Sequence, residues 1–289
     1  MTHTTSDVAA FAEARPQLFA VAYRMLGTVS DAEDVLQESY LRWQQADRSL
    51  VETPAAYLTT VVTRLCLDVL KSARVQRETY VGPWLPEPLL TETAPDPAET
   101  AELADSLSMA FLVLLESLSP LERAAFLLRE VFGYSYADLA AVLERDEAAC
   151  RQLVSRARGH VETRRPRFAV TRADGERLTT EFLVACGTGD VAGLMALLAS
   201  DVVLHSDGGG RVSAARRPVY GADDVARFLI GITKNPPSDM AVRLTRVNGD
   251  PGFLVTAGGN AVFVLGLEIA GDKVTGVNIV RNPEKLTRI

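Results

Sequence analysis

A helix-turn-helix pattern in the middle of the chain constrains its fold more than any other feature. Residues 135–143 predict a short helix capped by Ser135, residues 144–146 a turn, and residues 147–161 a second helix capped by Asp146. Helices joined by so short a turn can place the second one in the major groove of DNA. A basic helix alone can equally be a solvated surface helix, but the capped helix and turn before it favour DNA recognition.

The two faces of this second helix differ in chemistry. Cys150, Val154, Ala157 and Val161 recur at helical spacing, which predicts a buried face. On the opposite face, the side chains near the helix start suit guanine and adenine edges, and the later arginines suit phosphates. The predicted DNA-binding face consists of Arg151, Gln152, Ser155, Arg156 and Arg158.

The net charge of -7 does not exclude a nucleic-acid partner, because the charges are segregated along the chain. Residues 92–105 carry five acids and no base, whereas residues 147–167 carry six arginines and two glutamates. Local basic faces attract phosphates whatever the net charge. No apolar stretch suits a membrane span and no leader pattern begins the chain, so we expect a cytoplasmic protein with no membrane partner. Cys66, Cys150 and Cys186 lie far apart, and we expect neither metal nor cofactor.

Three helices are predicted upstream of residue 78. The first ends at Gly27, and a capping box of Ser30 and Glu33 predicts a second from about Asp31 to Gln45. Proline after Thr53 predicts the start of a third, which runs to about residue 73.

Two segments of these helices carry a family resemblance. DAEDVLQESYLRW at 31–43 and TPAAYLTTVVTRLCLDVLKSAR at 53–74 resemble region 2 of bacterial RNA polymerase sigma factors of the extracytoplasmic-function type, and residues 119–158 resemble region 4. The resemblance implies a non-enzymatic subunit that binds core RNA polymerase and promotes transcription initiation. It implies that the first segment binds the clamp helices of the large subunit, through Asp31, Glu33, Asp34, Val35, Leu36, Glu38 and Leu41.

The resemblance also implies how the promoter is recognised. Region 4 would read the minus-thirty-five element as duplex, and residues 44–77 would hold the opened strand of the minus-ten element. The basic side chains that would follow that strand are Arg64, Lys71, Arg74 and Arg77, and Trp43, Tyr57 or Tyr80 would either stack on a base or lie in the core. Many relatives place glycine and an apolar residue in the helix-turn-helix turn, where this chain has Glu144 and Arg145.

Downstream of Gly175, short helices precede alternating apolar runs that predict an antiparallel sheet. The runs DVVLHSDGGG, GADDVARFL and NPEKL resemble the SnoaL-like branch of the nuclear-transport-factor-2 (NTF2) fold, an α+β cone whose pocket could take a small molecule. WLPEP at 84–88 is similar to the linker of sigma factors that carry this extension. We therefore expect regulatory contacts, with the cone packed on the sigma domains and linker, among Trp84, Leu85, Pro86, Asp207, Gly208, Gly209, Gly210, Asn282 and Pro283.

The expected architecture is multidomain. It comprises an all-α sigma region 2 domain at 1–77, a proline-rich acidic linker at 78–105, an all-α region 4 helix-turn-helix domain at 106–168 and an α+β SnoaL-like (NTF2-like) domain at 175–289. Two alternatives stay open at this point. One is a free-standing helix-turn-helix regulator, and the other is a cyclase-like or isomerase-like enzyme fused to a DNA-binding module, with His205 and Asp207 as an acid/base pair.

Overall fold

The computed structural model describes residues 3–77, 80–91, 106–162, 171–234 and 236–289. Contacts divide the chain into two compact units, a first of residues 1–78 and 114–164 and a second of residues 79–113 and 165–289. The four predicted domain ranges stay a prediction, and these units differ from them, since residues 79–113 group with the C-terminal part. None of the described helices is long and apolar enough to cross a membrane.

The first unit begins with three packed helices, α1 (His3–Leu26), α2 (Val29–Gln45) and α3 (Pro54–Arg77). All three predicted helices are present, and Pro54 starts α3 as expected. Their shared core is apolar, because each helix carries a stripe of large side chains at helical spacing. Its fully buried members include Leu18, Tyr23, Met25, Leu26, Leu36, Leu58 and Val62.

The start of α2 corrects one prediction. The helix begins at Val29, and Thr28 is its N-terminal flanking residue. The Thr28 hydroxyl donates to Asp31 Oδ2 at 2.5 Å. Ser30 and Glu33 lie inside the helix, so the capping box predicted for them is wrong. Thr28 and Asp31 have the same three-residue spacing, so the residue that flanks the start of α2 lies two positions before the predicted one.

The helix-turn-helix lies in the same unit. α4 (Met109–Leu115) contains the boundary between the units, and α5 (Pro120–Phe126) continues into a π-helical turn. α6 (Tyr136–Leu143) and α7 (Glu147–Glu162) follow and pack on each other, as predicted.

The second unit is α+β. Its order is α8 (Arg172–Thr188), α9 (Val191–Leu197), β1 (Leu198–Asp207), β2 (Val219–Tyr220), α10 (Ala222–Thr233), β3 (Met240–Val247), β4 (Asp250–Ala257), β5 (Asn260–Ala270) and β6 (Lys273–Val280). The strands form one sheet in the order β2-β1-β6-β5-β4-β3. β1 and β6 are parallel and the other neighbours antiparallel. α8 starts earlier than predicted, because Thr171 caps it by accepting from the Asp174 amide.

Each face of the sheet is covered by a different part of the unit. Helices α8–α10 pack on one face around Phe182, Leu204, Leu229 and Phe253. The other face carries a second cluster formed with the linker, the start of α4 and the chain end: Leu85, Met109, Val247, Leu254, Val264, Val280 and Leu286. The described part of the predicted linker, residues 80–91, is therefore part of this unit's core.

Candidate polymerase and DNA contacts and the linker anchor

The predicted polymerase-binding residues divide between the surface of α2 and its core. Asp34 and Glu38 are exposed, and Leu41 has 45% of its surface accessible. Val35 and Leu36 are buried among the three helices and hold α2 in place. The remaining two acids are partly covered: Glu33 pairs with Arg15 at 2.6 Å, and Asp31 accepts from Thr28.

The first predicted strand-binding residue of α3, Arg64, already has a partner inside the first unit. Its guanidinium donates to the carbonyl oxygens of Val142 and Ala141 at 3.1 and 3.0 Å and pairs with Glu144 at 3.1 Å. These carbonyls are at the C-terminal end of α6, where unpaired oxygens and the helix dipole attract a cation. Arg64 therefore joins α3 to the helix-turn-helix.

The other strand-binding candidates differ in environment. Lys71 is exposed and pairs with Asp68 at 2.9 Å. The side chains of Arg74 and Arg77 lie outside the described residues. Trp43 is buried, with the Arg48 guanidinium 5.2 Å from its ring centre, so it belongs to the core.

The helix-turn-helix has its predicted caps. Ser135 and Asp138 form a reciprocal capping box at the start of α6, and Asp146 accepts from the Ala149 amide at the start of α7. Glu144 has left-handed backbone angles, with φ 53° and ψ 50°. Glycine adopts that conformation at less cost, which gives a physical reason for the glycine of many relatives.

The exposed face of α7 consists of the side chains predicted to bind DNA. Cys150, Val154, Ala157 and Val161 are buried, whereas Gln152 and Ser155 are exposed. The three arginines of the face lie in ion pairs: Arg151 with Glu147 at 2.6 Å, Arg156 with Glu122 at 3.2 Å and Arg158 with Glu130 at 2.9 Å. Pairs this exposed are weak and can exchange for phosphate.

In the second unit, the buried carboxylate of Asp207 at the end of β1 accepts four hydrogen bonds. Oδ1 accepts from the Tyr80 hydroxyl at 2.6 Å and from the Gly209 amide at 2.9 Å. Oδ2 accepts from the Leu85 amide at 2.9 Å and from Lys285 Nζ at 2.7 Å. The carboxylate thus joins linker, β1 and chain end at one point, which we call the Asp207 anchor.

Other linker groups complete the Asp207 anchor. Lys285 also donates to the Leu85 carbonyl at 2.5 Å and lies 4.3 Å from the Trp84 ring centre. Asn282 Nδ2 donates to the Tyr80 hydroxyl at 3.0 Å. Burial, and next the hydrogen bond to Asp207, raise the pKa of Tyr80, so its hydroxyl stays protonated as a donor.

A second set of contacts fixes the linker further along. Asn248, in the turn between β3 and β4, makes two hydrogen bonds with the backbone of Leu89. Its side-chain oxygen accepts from the Leu89 N–H at 3.0 Å, and its backbone N–H donates to the Leu89 carbonyl at 2.8 Å. Its side chain also donates to the Leu107 carbonyl at 3.1 Å. The Thr91 amide donates to the Arg246 carbonyl at 3.0 Å. Residues 89–91 thus extend the edge of the sheet.

Comparisons with known proteins agree with this architecture. Residues 10–75 match the family Sigma-70 region 2, and residues 108–161 match Sigma-70, region 4. The chain is 39% identical to the ECF RNA polymerase sigma factor SigJ of Mycobacterium tuberculosis, over 97% of this chain and 93% of that protein. This chain belongs to the extracytoplasmic-function sigma factors.

The solved structure of SigJ and one further relative support that assignment over nearly the whole chain. The crystal structure of M. tuberculosis SigJ is similar at a TM-score of 0.78 and 36% identity, covering 97% of this chain and 98% of that one. The probable sigma factor SigI of the same species is 31% identical over 96% of this chain and 94% of its own length. The predicted multidomain fold, with helical sigma regions and an NTF2-like α+β domain, is therefore confirmed. Its partners as a sigma factor are core RNA polymerase and promoter DNA.

The structure does not bring His205 and Asp207 together as an acid/base pair. His205 is hydrogen-bonded with Asn278, and burial lowers the pKa of its imidazole. Asp207 is occupied by the four donors of its anchor. Across the described residues, no cluster of three or more potential ligands could hold a metal ion. His205 and Asp207 therefore do not form the acid/base pair of the enzyme alternative, and the family assignment does not favour a free-standing regulator.

Sequence reasoning singled out several residues that hold the linker but missed the part played by three others. Leu85 and Asp207 touch directly, while Gly209 and Asn282 lie beside them. Tyr80 was considered only as a base-stacking candidate, and Lys285 and Asn248 were not singled out. One signal was available for Asn248, since Asn-Gly at 248–249 is typical of a tight hairpin turn.

Proposed function

We propose that this sigma factor contacts polymerase and promoter through three surfaces and is controlled by its own C-terminal unit. The exposed acids of α2, with Leu41, bind the clamp helices of the large subunit. The α7 face reads the minus-thirty-five duplex, and the loop before α3 with that helix holds the opened minus-ten strand. The observation that supports control in cis is the Asp207 anchor, because it holds the linker between the two DNA readers.

Linker anchoring limits how far the two readers can separate. The two promoter elements are named for positions about 25 base pairs apart, or roughly 85 Å of duplex. Residues 80–91 follow α3, and residues 106–113 precede α5; both stretches pack on the C-terminal sheet. While both are held there, the helices before and after the linker are tied to two places on one domain. Release of the linker would remove that restraint.

The contact of Arg64 supports a closed free state in the same way. Its Nε and Nη2 already donate to the α6 carbonyls, so these two nitrogens would have to leave them to bind a promoter phosphate as a pair. Regions 2 and 4 also cannot touch at 3.0 Å while each binds its own promoter element, because the two elements lie tens of ångströms apart on the duplex. Promoter binding therefore requires this contact to break. Polymerase and DNA would favour the open state only through tighter binding to it.

Run-off transcription with purified core polymerase tests the proposal. We expect Asp207→Asn to raise promoter-dependent transcript and core-polymerase affinity several-fold. The carboxylate accepts from four donors, and the NH2 group of asparagine would place a fifth donor against at least one of them. Asp201→Asn is the matched control, because Asp201 is an exposed carboxylate on the same strand. Unchanged activity and affinity in Asp207→Asn would overturn control in cis. Absence of any transcript from the unmodified chain would overturn the sigma activity itself.

A small-molecule ligand in the C-terminal domain stays a prediction. The face of the sheet that carries helices α8–α10 is filled by apolar side chains, including Phe182, Val202, Leu265 and Ile279. A ligand site therefore has to be sought elsewhere on this unit.

A further inference from the structure

The connection between β1 and β2 is a strongly basic surface loop. Residues 208–220 contain Arg211, Arg216 and Arg217 and no acid. All three arginines are exposed to solvent. We call residues 211–217 the basic loop.

Little negative charge opposes that of the basic loop. In the described part of the chain, no carboxylate pairs with Arg216 or Arg217. Arg211 pairs with Glu284 at 2.9 Å, but 65% and 64% of the two side chains are accessible, so this pair is weak. Asp223, the next acid along the chain, is paired with an arginine of its own helix. At least two guanidinium groups are therefore available to an external anion.

The backbone of the basic loop is held by its surroundings. Arg281 Nη1 donates to the Ser213 carbonyl at 2.7 Å, which also places a fourth arginine beside the loop. On the other side the loop packs on the linker, since a Cβ at Gly82 would lie 3.7 Å from the Arg216 Cα. A loop that is already fixed loses less conformational entropy when it binds a partner.

We propose that the basic loop binds the phosphodiester backbone of promoter DNA, as a contact of the C-terminal domain beyond those of α3 and α7. Promoter DNA is a partner of this sigma factor, and guanidinium groups donate to phosphate oxygens in pairs with good geometry. The net charge of -7 does not attract DNA, so attraction depends on local basic surfaces such as this one. Contacts to phosphates carry no base sequence, so the loop adds affinity and fixes position without changing which bases are read.

The basic loop contacts the linker close in sequence to the predicted strand-binding helix. Gly82, which packs on Arg216, follows Arg77 at the end of α3 by five residues. The loop is therefore attached to the chain segment that leaves that helix. The contact rests on promoter binding by the sigma factor and does not depend on control in cis.

The salt dependence of promoter binding by the polymerase holoenzyme tests the proposal. The test variant carries Arg216→Gln and Arg217→Gln. The control carries Arg177→Gln and Arg227→Gln, which replace exposed arginines of the same unit that pair with acids of their own helices. Both variants therefore lose the same charge.

Loss of two phosphate contacts should weaken promoter binding several-fold at about 0.1 M salt. It should also reduce the slope of log affinity against log salt by about 1.4–1.8, whereas the control should keep the slope of the unmodified chain. An unchanged slope in the test variant, or an equal reduction in the control, would overturn the proposal.

A second measurement separates DNA from a protein partner. Affinity for core polymerase in the absence of DNA should be the same in the test variant and in the unmodified chain. A several-fold loss of that affinity, with the slope on promoter DNA unchanged, would assign the basic loop to a polymerase surface and overturn the proposal.

Photo-crosslinking tests the contact itself. Cys66, Cys150 and Cys186 are buried, so a crosslinking reagent can be attached selectively to an exposed new thiol. In a promoter complex formed without nucleotides, DNA is the only nucleic acid present. There the reagent on Ser213→Cys should crosslink DNA, and the same reagent on Thr180→Cys, at an exposed position of α8, should not. No crosslink from Ser213→Cys, or equal yields from both positions, would contradict the proposed contact.

Discussion

Lys285 and Asp207 form an ion pair in which the ammonium is 2.7 Å from Oδ2, with 8% and 0% of the two side chains accessible. The pair lies where the linker meets the C-terminal domain, and its partners include both main-chain groups of Leu85. Loss of one partner would leave a buried charge without compensation. The ion pair thus couples stability of the C-terminal unit to the position of the linker.

Lys285→Met should lower the free energy of unfolding by about 3–5 kcal/mol, because it leaves the Asp207 carboxylate buried with neutral donors only. Adding Asp207→Asn to that variant should restore part of the loss. Chemical denaturation of the two single variants and the double variant measures the coupling. Additive effects would mean that the two side chains do not act as a pair.

Gly209→Ala should destabilise the C-terminal unit more than Gly271→Ala does. Both glycines have positive φ, 59° and 61°, so alanine is strained at either position. A Cβ at Gly209 would also approach within 2.5 Å of the Asn282 side-chain amide, whereas one at Gly271 meets nothing within 4 Å. We expect the difference between them to be about 1–3 kcal/mol in thermal or chemical unfolding. Equal losses would show that Asn282 moves away without cost.

Two substitutions on the exposed face of α7 should distinguish recognition of base sequence from general affinity for DNA. Gln152→Ala, near the helix start, should relax discrimination at one base pair by about 1–3 kcal/mol. Arg158→Ala should instead weaken binding to all sequences alike and reduce the salt dependence by about one ion. Competition binding of the polymerase holoenzyme to a set of minus-thirty-five variants provides both readouts. The reverse pattern would contradict the predicted docking of this helix.

Glu268→Gln should stabilise the protein at pH 7 and change little at pH 4. Burial raises the pKa of the Glu268 carboxyl above its ordinary value, while a hydrogen bond from Asn278 acts the other way. Because this pKa is raised in the folded state, the protonated acid stabilises the fold. That contribution is fully present below the pKa of the unfolded state and is lost as the pH rises through the pKa of the folded state. Glutamine keeps an acceptor for Asn278 without the charge. Thermal unfolding at both pH values checks this, and a lower melting temperature at pH 7 would contradict it.

Sequence patterns predicted the helix-turn-helix well because its determinants are local. Ser135 and Asp146 are caps whose partners lie three residues away. By contrast, Arg64 meets the α6 carbonyls from 77 and 78 residues away, and Lys285 meets Leu85 from 200 residues away. Contacts between residues so far apart leave no periodic pattern in the sequence. For this reason the sequence predicted Arg64 only as a strand-binding side chain, and the contacts of Tyr80 and Lys285 in the Asp207 anchor were missed.

The alternation of apolar residues likewise predicted all the long strands, but not what covers each face. The apolar residues around Val247, Leu254 and Val264 predict one buried face of a sheet, as in any α+β domain. Its cover is a proline-containing segment, residues 80–91, that has no periodicity of its own. Only the resemblance of WLPEP to known linkers indicated that this segment had a role.

Hydrogen exchange at the Leu85 amide tests most directly whether the linker leaves the C-terminal domain when transcription begins. In the free chain this amide donates to a buried carboxylate and should exchange slowly. In an active complex with core polymerase and promoter DNA, we expect its exchange to accelerate by at least about tenfold, together with that of the Leu89 amide. Equal protection of both amides in the free chain and in the transcribing complex would contradict the account.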